Sequence, residues 1–129
     1  MSGKFVLDTN IVIALFAQNE QVIEKLKTAD EVFIPCIVLG ELYYGANKSS
    51  RLDENITRID EFSAANQILA IDGETAHYYG DIKNDLRAKG KPIPENDICI
   101  AALVRQHESM LVTQDKHFSE IESLQTTSW

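Results

Sequence analysis

Short apolar stretches of strand length alternate along the chain with longer stretches of helical period, and this alternation limits the fold more than any other feature. KFVLD reads as a buried strand, and TNIVIALFAQ directly after it is apolar enough for a partly buried helix. NEQVIEKLKTA sets Val22, Ile23 and Leu26 at helical spacing, with Glu20, Glu24, Lys25 and Lys27 on the wet side. EVFIP, closed by Pro35, is a second strand pattern. Two helices follow, CIVLGELYYGA and SRLDENITRIDEFSAA, the latter with Leu52, Ile56, Ile59 and Phe62 on one face. QILAI predicts a third strand. Asp72 caps the next helix, whose inner face is read as Ala76, Tyr79, Ile82 and Leu86 and which stops at Gly90. PENDICIAALVRQ predicts a nearly all-apolar buried helix starting near Pro94, MLVT a fourth strand and SLQTTSW a fifth.

Strands and helices in this order predict a parallel α/β sandwich with right-handed connections. The carboxyl ends of the strands then share one edge, which is where ligands bind in such sheets. A chain of 129 residues fits one domain, residues 1–129, and 44% hydrophobic with 25% charged residues is an ordinary globular balance. Cys36 and Cys99 sit inside apolar runs without CxxC spacing, the pattern of a reducing cytoplasm. No leader pattern opens the chain, and its longest clean apolar run, residues 11–17, is too short to cross a bilayer, so a soluble protein is expected. Acids outnumber bases 20 to 12, for a net charge of -8, which argues against broad adhesion to nucleic acid or anionic membrane. The same excess suits acids that hold cations.

Four acids stand where this topology places a site. Asp8 ends strand one and Asp115 follows strand four; each is also a common turn residue. Glu41 has Ile37, Val38 and Gly45 as helical neighbours, so its carboxylate either snorkels to solvent beside the tyrosines or needs a counterion, a metal or a raised pKa. Asp97 opens the buried helix, where it is either a simple cap or an anion placed at the positive helix end. Taken together, four acids at one edge repel unless neutralised, and Mg²⁺ or Mn²⁺ is what an all-oxygen site of this kind holds. His77, His107 and His117 lack the spacing of a zinc site and read as surface or capping residues.

FVLDTNIVIALF, IPCIVLGELYYGA, ENDICIAALV and LVTQDKHF resemble, in order and separation, the four acidic motifs of PIN-domain nucleases, particularly the small VapC-type toxins. The resemblance spans nearly the whole chain. It implies a PIN-like three-layer sandwich with a central parallel sheet of four to five strands flanked by helices. It implies further that Asp8, Glu41, Asp97 and Asp115 form the catalytic and metal-binding quartet, with Thr9, Asn10, Asn96 and Thr113 as supporting polar residues. Metal-dependent hydrolysis of RNA is the activity that goes with it. A homodimer and a cognate antitoxin, whose tail covers the acidic edge, are the implied partners. In that reading Arg87, Lys89 and Lys91, Lys116 and His117 beside Asp115, and Lys48 and Arg51 make a basic rim that positions phosphates without reading bases. Arg87 and Lys89 have a plainer use at a helix C-terminus.

Other classes fit less well. A haloacid-dehalogenase phosphatase also places an Asp after strand one but needs a second acid two residues later, and here position 10 is Asn. A receiver domain wants paired acids after strand one, and only Asp8 is present. Neither a nucleophile elbow nor a Walker or dinucleotide glycine pattern occurs. A catalytically silent PIN-like module that only binds partners is the alternative of a different class.

Overall fold

The computed structural model describes residues 3–129. In chain order the elements are β1 (Lys4–Leu7), α1 (Thr9–Phe16), α2 (Glu20–Thr28), β2 (Glu31–Pro35), α3 (Cys36–Asn47), α4 (Leu52–Ala65), β3 (Gln67–Leu69), α5 (Gly73–Ala88), α6 (Glu95–Gln106), β4 (Met110–Val112), a 3-10 turn (Lys116–Glu120) and β5 (Thr126–Thr127). All five strands join one parallel sheet in the order β3-β2-β1-β4-β5, flanked by the helices. β1 and β4 are apolar throughout apart from Lys4, as strands covered on both faces must be.

The core gathers Phe5, Val6 and Leu7 of β1, Ile34 of β2, and Leu111 and Val112 of β4. Against these lie Ile11, Val12, Val38, Ile82, Leu86 and an unbroken buried run, residues 100–104, of α6. Trp129 folds over the edge of this core, its ring 5.4 Å from that of Phe5. Most of the apolar side chains of α1 and α3 are used the same way: Leu42 is buried, and Leu15, Phe16 and Tyr43 pack partly against the core. Ile13 and Tyr44 are exceptions, at 54% and 64% exposed.

Two expectations about helix faces need correction. In α5 the inward residue of the first turn is Thr75, 1% exposed, and Ala76 faces solvent. Asp72 forms a capping box with Thr75, and the buried hydroxyl also meets Gln106, so a polar residue turns inward because its hydrogen bonds are met there. In α4 the face is held by Ile56, Ile59 and Phe62, while Leu52 at its first position is exposed. The third strand is also shorter than QILAI. It ends at Leu69, because it pairs only with β2 at the sheet edge, and Ile71 lies beyond it in the open.

Chain order and strand order together fix where a site can form. From β1 the chain moves outward through β2 to β3, then crosses back to lay β4 on the other side of β1. The carboxyl ends of β1 and β4 therefore flank the point where the strand order reverses, the place where open α/β sheets bind ligands. Leu7 and Val112 are register partners, so the residues that follow them, Asp8 and Thr113, emerge side by side.

Candidate active site

Asp8 is 5% exposed and leaves β1 as the N-cap of α1. One carboxylate oxygen accepts from the Thr9 N–H at 2.8 Å; the other accepts from the Thr113 hydroxyl at 2.7 Å and the Asn10 amide at 3.2 Å. Asn10 also accepts from the Gln114 N–H, and the Thr113 hydroxyl accepts from the Asp115 N–H. Thr113 and Asn10 thus bolt the end of β1 to the loop after β4, carrying Asp115 into place beside Asp8. Thr9 performs the same service toward α3: its hydroxyl donates to Glu41 at 2.7 Å, which keeps that half-buried carboxylate at the site edge.

Asp97 settles an ambiguity left by the sequence. The N-cap of α6 is Pro94, no side chain caps that helix end, and Asp97 lies in the first turn with its carboxyl committed to no cap. Its side chain, 14% exposed, faces His117, whose Nδ1 lies 3.5 Å from Asp97 Oδ2 and 3.2 Å from Asp115 Oδ1. Asp115 in turn caps the 3-10 turn by accepting the His117 N–H at 2.9 Å.

The carboxylates sense one another. Burial first, then the charges of Asp8 and Asp115, and lastly Glu41 push the Asp97 carboxyl up to about 6, against a weaker opposing pull from His117. Asp8 is also raised, by burial and by Asp115, although hydrogen bonds from Thr113, Thr9 and Asn10 resist the shift. Among the described residues no Lys or Arg forms an ion pair with any of the four acids. Partly buried carboxylates that meet a histidine but no Lys or Arg are a fitting donor set for a hard divalent cation.

Grooves lead into this cluster. One of about 610 Å³ is lined by Thr9, Glu41, Tyr44, Lys48 and Asn96. Another, of about 350 Å³, runs past Thr113, Asp115 and Lys116 toward Thr126 and Thr127. A third, of about 370 Å³ and largely apolar, reaches Glu41 from the side of Ile13, Phe16, Leu42, Ile59 and Arg58.

The expected rim divides. Lys48, set 4.3 Å over the Tyr44 ring, and Lys116 line grooves at the acids. Lys89 is otherwise engaged, donating to the Glu120 carbonyl at 2.7 Å and pairing with Glu122, and Arg51 pairs with Glu54. Arg87 sits in the last turn of α5, as a helix-end cation would, and Lys91 follows that helix in the open. His77 pairs with Asp81 and His107 caps α6 while stacking on Phe33, both as expected. His117 is exposed and beside Asp115, as expected, and it also reaches Asp97 on α6, which the sequence does not show. No ligand-like spacing flags it, because Asp97 reaches it from another element.

Comparison with known proteins agrees with this geometry. Residues 5–124 match the PIN domain family. Ribonuclease VapC2 of Haemophilus influenzae is 36% identical, over 98% of both chains. The tRNA(fMet)-specific endonuclease VapC of Shigella flexneri is 30% identical, again over 98% of both. Among solved structures, VapBC2 from Rickettsia felis bound to a promoter DNA fragment superposes with a TM-score of 0.89, at 30% identity and 98% coverage of both chains. With its fold, its four ordered motifs and these relatives in agreement, the chain belongs to the PIN-domain family, in the branch of the VapC ribonucleases.

Proposed function

We propose that the chain is an endoribonuclease that needs Mg²⁺ or Mn²⁺, works in the cytoplasm, and serves as the toxin of a toxin–antitoxin pair. The observation that carries the reading is the convergence of Asp8, Glu41, Asp97 and Asp115 on one sheet edge with no Lys or Arg partner. A divalent cation bound there supplies charge withdrawal from a scissile phosphodiester and makes water a better nucleophile at neutral pH. Asp8, Asp97 and Asp115 are the residues to hold it, with Glu41 at the rim toward the groove.

The remaining residues position these acids. Thr113 and Asn10 fix both the rotamer of Asp8 and the loop that bears Asp115, and Thr9 fixes Glu41. Asn96, which lines the same groove as Lys48, is available to hydrogen-bond an RNA strand lying there. Lys48 and Lys116 offer their ammonium groups to backbone phosphates on two sides of the cluster, so a locally basic path crosses an acidic molecule.

The VapBC structures that this chain resembles are toxin–antitoxin complexes by family, and the apolar groove between α1, α3 and α4 suits a partner segment with an amphipathic face. A basic side chain on that segment would meet Glu41 and the uncompensated acids beyond it. A homodimer belongs to the same proposal, with the exposed side chains of Tyr44, Leu52 and Ile71 available to a second copy. The two cysteines are free, which suits a reducing compartment.

The test is cleavage of end-labelled structured RNA by the purified, chelator-stripped chain. A tRNA pool is the first substrate to try, given the activity for which the Shigella flexneri relative is named. Cleavage absent in EDTA, restored by Mg²⁺ or Mn²⁺ and absent from Asp97→Asn is the expected result. Undiminished cleavage in excess EDTA contradicts the mechanism, and a chain that binds RNA but never cuts it would be a silent scaffold.

A further inference from the structure

His117 has a place that the acidic motifs do not account for. It belongs to the 3-10 turn after β4, and the turn is pinned from below by Phe118, 1% exposed, and Ile121, 5% exposed. From above, Asp115 accepts the His117 N–H. With backbone and neighbour both held, the imidazole is delivered to the acids: Nδ1 lies 3.2 Å from Asp115 and 3.5 Å from Asp97. One ligand atom from each of these three residues lies within 4.8 Å of the other two. Adjacent donors on one six-coordinate ion with bonds of roughly 2.1 Å stand about 3 Å apart, so the observed spacing needs only small side-chain adjustment to close on a common centre.

We propose that His117 is a nitrogen ligand of this centre, joining Asp97 and Asp115 on one divalent cation and tilting the site from Mg²⁺ toward Mn²⁺ and later first-row ions. The inference rests on reading the acids as a cation centre, and it adds to that reading a donor of a different kind. Mg²⁺ favours oxygen and keeps its waters, whereas imidazole suits the transition ions. The competing use of His117 is as a counter-charge that merely pairs with the two carboxylates. The two uses differ in sign: removing a counter-charge strengthens cation binding, and removing a ligand weakens it.

Pulsed electron paramagnetic resonance of the chelator-stripped full chain loaded with Mn²⁺ reads the ligand directly. A nitrogen modulation is expected in the wild type, converting to the ¹⁵N pattern when the protein is made with ¹⁵N-histidine. It is lost in His117→Ala, while His77 and His107, on α5 and at the end of α6, leave it unchanged. By calorimetry, His117→Ala loses at least about tenfold in Mn²⁺ affinity and distinctly less in Mg²⁺ affinity. The wild-type spectrum needs no variant to fold, and a melting curve checks the variant. Mn²⁺ bound with oxygen donors only, or bound more tightly by His117→Ala, overturns the inference while leaving the cation centre intact. Failure of the wild type to bind Mn²⁺ at all overturns both.

Discussion

At the scale of single residues, the site is a balance between carboxylates that repel and hydroxyls that hold them. Asp97 shows the repulsion most plainly, because its carboxyl stands at about 6 in the fold against an ordinary 3.8. The folded state therefore binds that proton more tightly than the unfolded chain does. In the metal-free chain the contribution of this group is most favourable below about pH 4 and is lost as pH rises to about 6, by about 1–3 kcal/mol. Asp97→Asn removes the penalty. Thermal melts in EDTA from pH 4 to 8 should show that slope reduced in the variant and its melting temperature at pH 7 raised by a few degrees, although the variant cuts no RNA. Much of this was legible in advance: Asp8, Glu41, Asp97 and Asp115 can all be picked from strand ends and helix starts. The start of α6 near Pro94 was legible as well; that Asp97 forms no cap was not, because a first-turn acid and a capping acid look alike in the sequence. His117 could be placed beside Asp115, but its approach to Asp97 was illegible, since that acid lies on a different element.

At the scale of elements, the order of strands and helices was readable throughout, because buried parallel strands are continuously apolar and their flanking helices are not. What could not be read was the phase of α5, where a hydrogen-bonded Thr75 replaces the apolar Ala76 on the inner face. The resemblance marks Thr113 as a supporting polar residue, but does not show that it joins β1 to β4. Its hydroxyl donates to Asp8 and accepts from the Asp115 N–H at once. Thr113→Val keeps the shape and deletes both bonds, together with a longer one from the Asn10 amide, leaving a buried carboxylate oxygen short of a donor. Chemical denaturation should show a loss of about 1–3 kcal/mol, and RNA cleavage should fall with it as Asp115 loses its anchor. A Thr113→Ser variant retains the hydroxyl and should recover most of both.

For the whole molecule, a chain with a net charge of -8 has to bind a polyanion, and only local arrangement permits this. Lys48 and Lys116 flank the acids, while Arg51 and Lys89 are tied to neighbouring residues, so few phosphates should be neutralised. A salt titration of RNA binding in Mg²⁺ should therefore give a shallow slope, near two released counterions, falling by about one in Lys48→Ala or in Lys116→Ala. The deeper claim is that the fold collects carboxylates from β1, α6 and the loop after β4 into one pocket that a divalent cation completes. Calorimetric titration of Mn²⁺ into the stripped chain and into Asp8→Asn and Asp97→Asn tests it most directly. Saturable binding by the wild type, weakened at least about tenfold in each variant, is the result predicted; equal binding by all three, or none by the wild type, would contradict it.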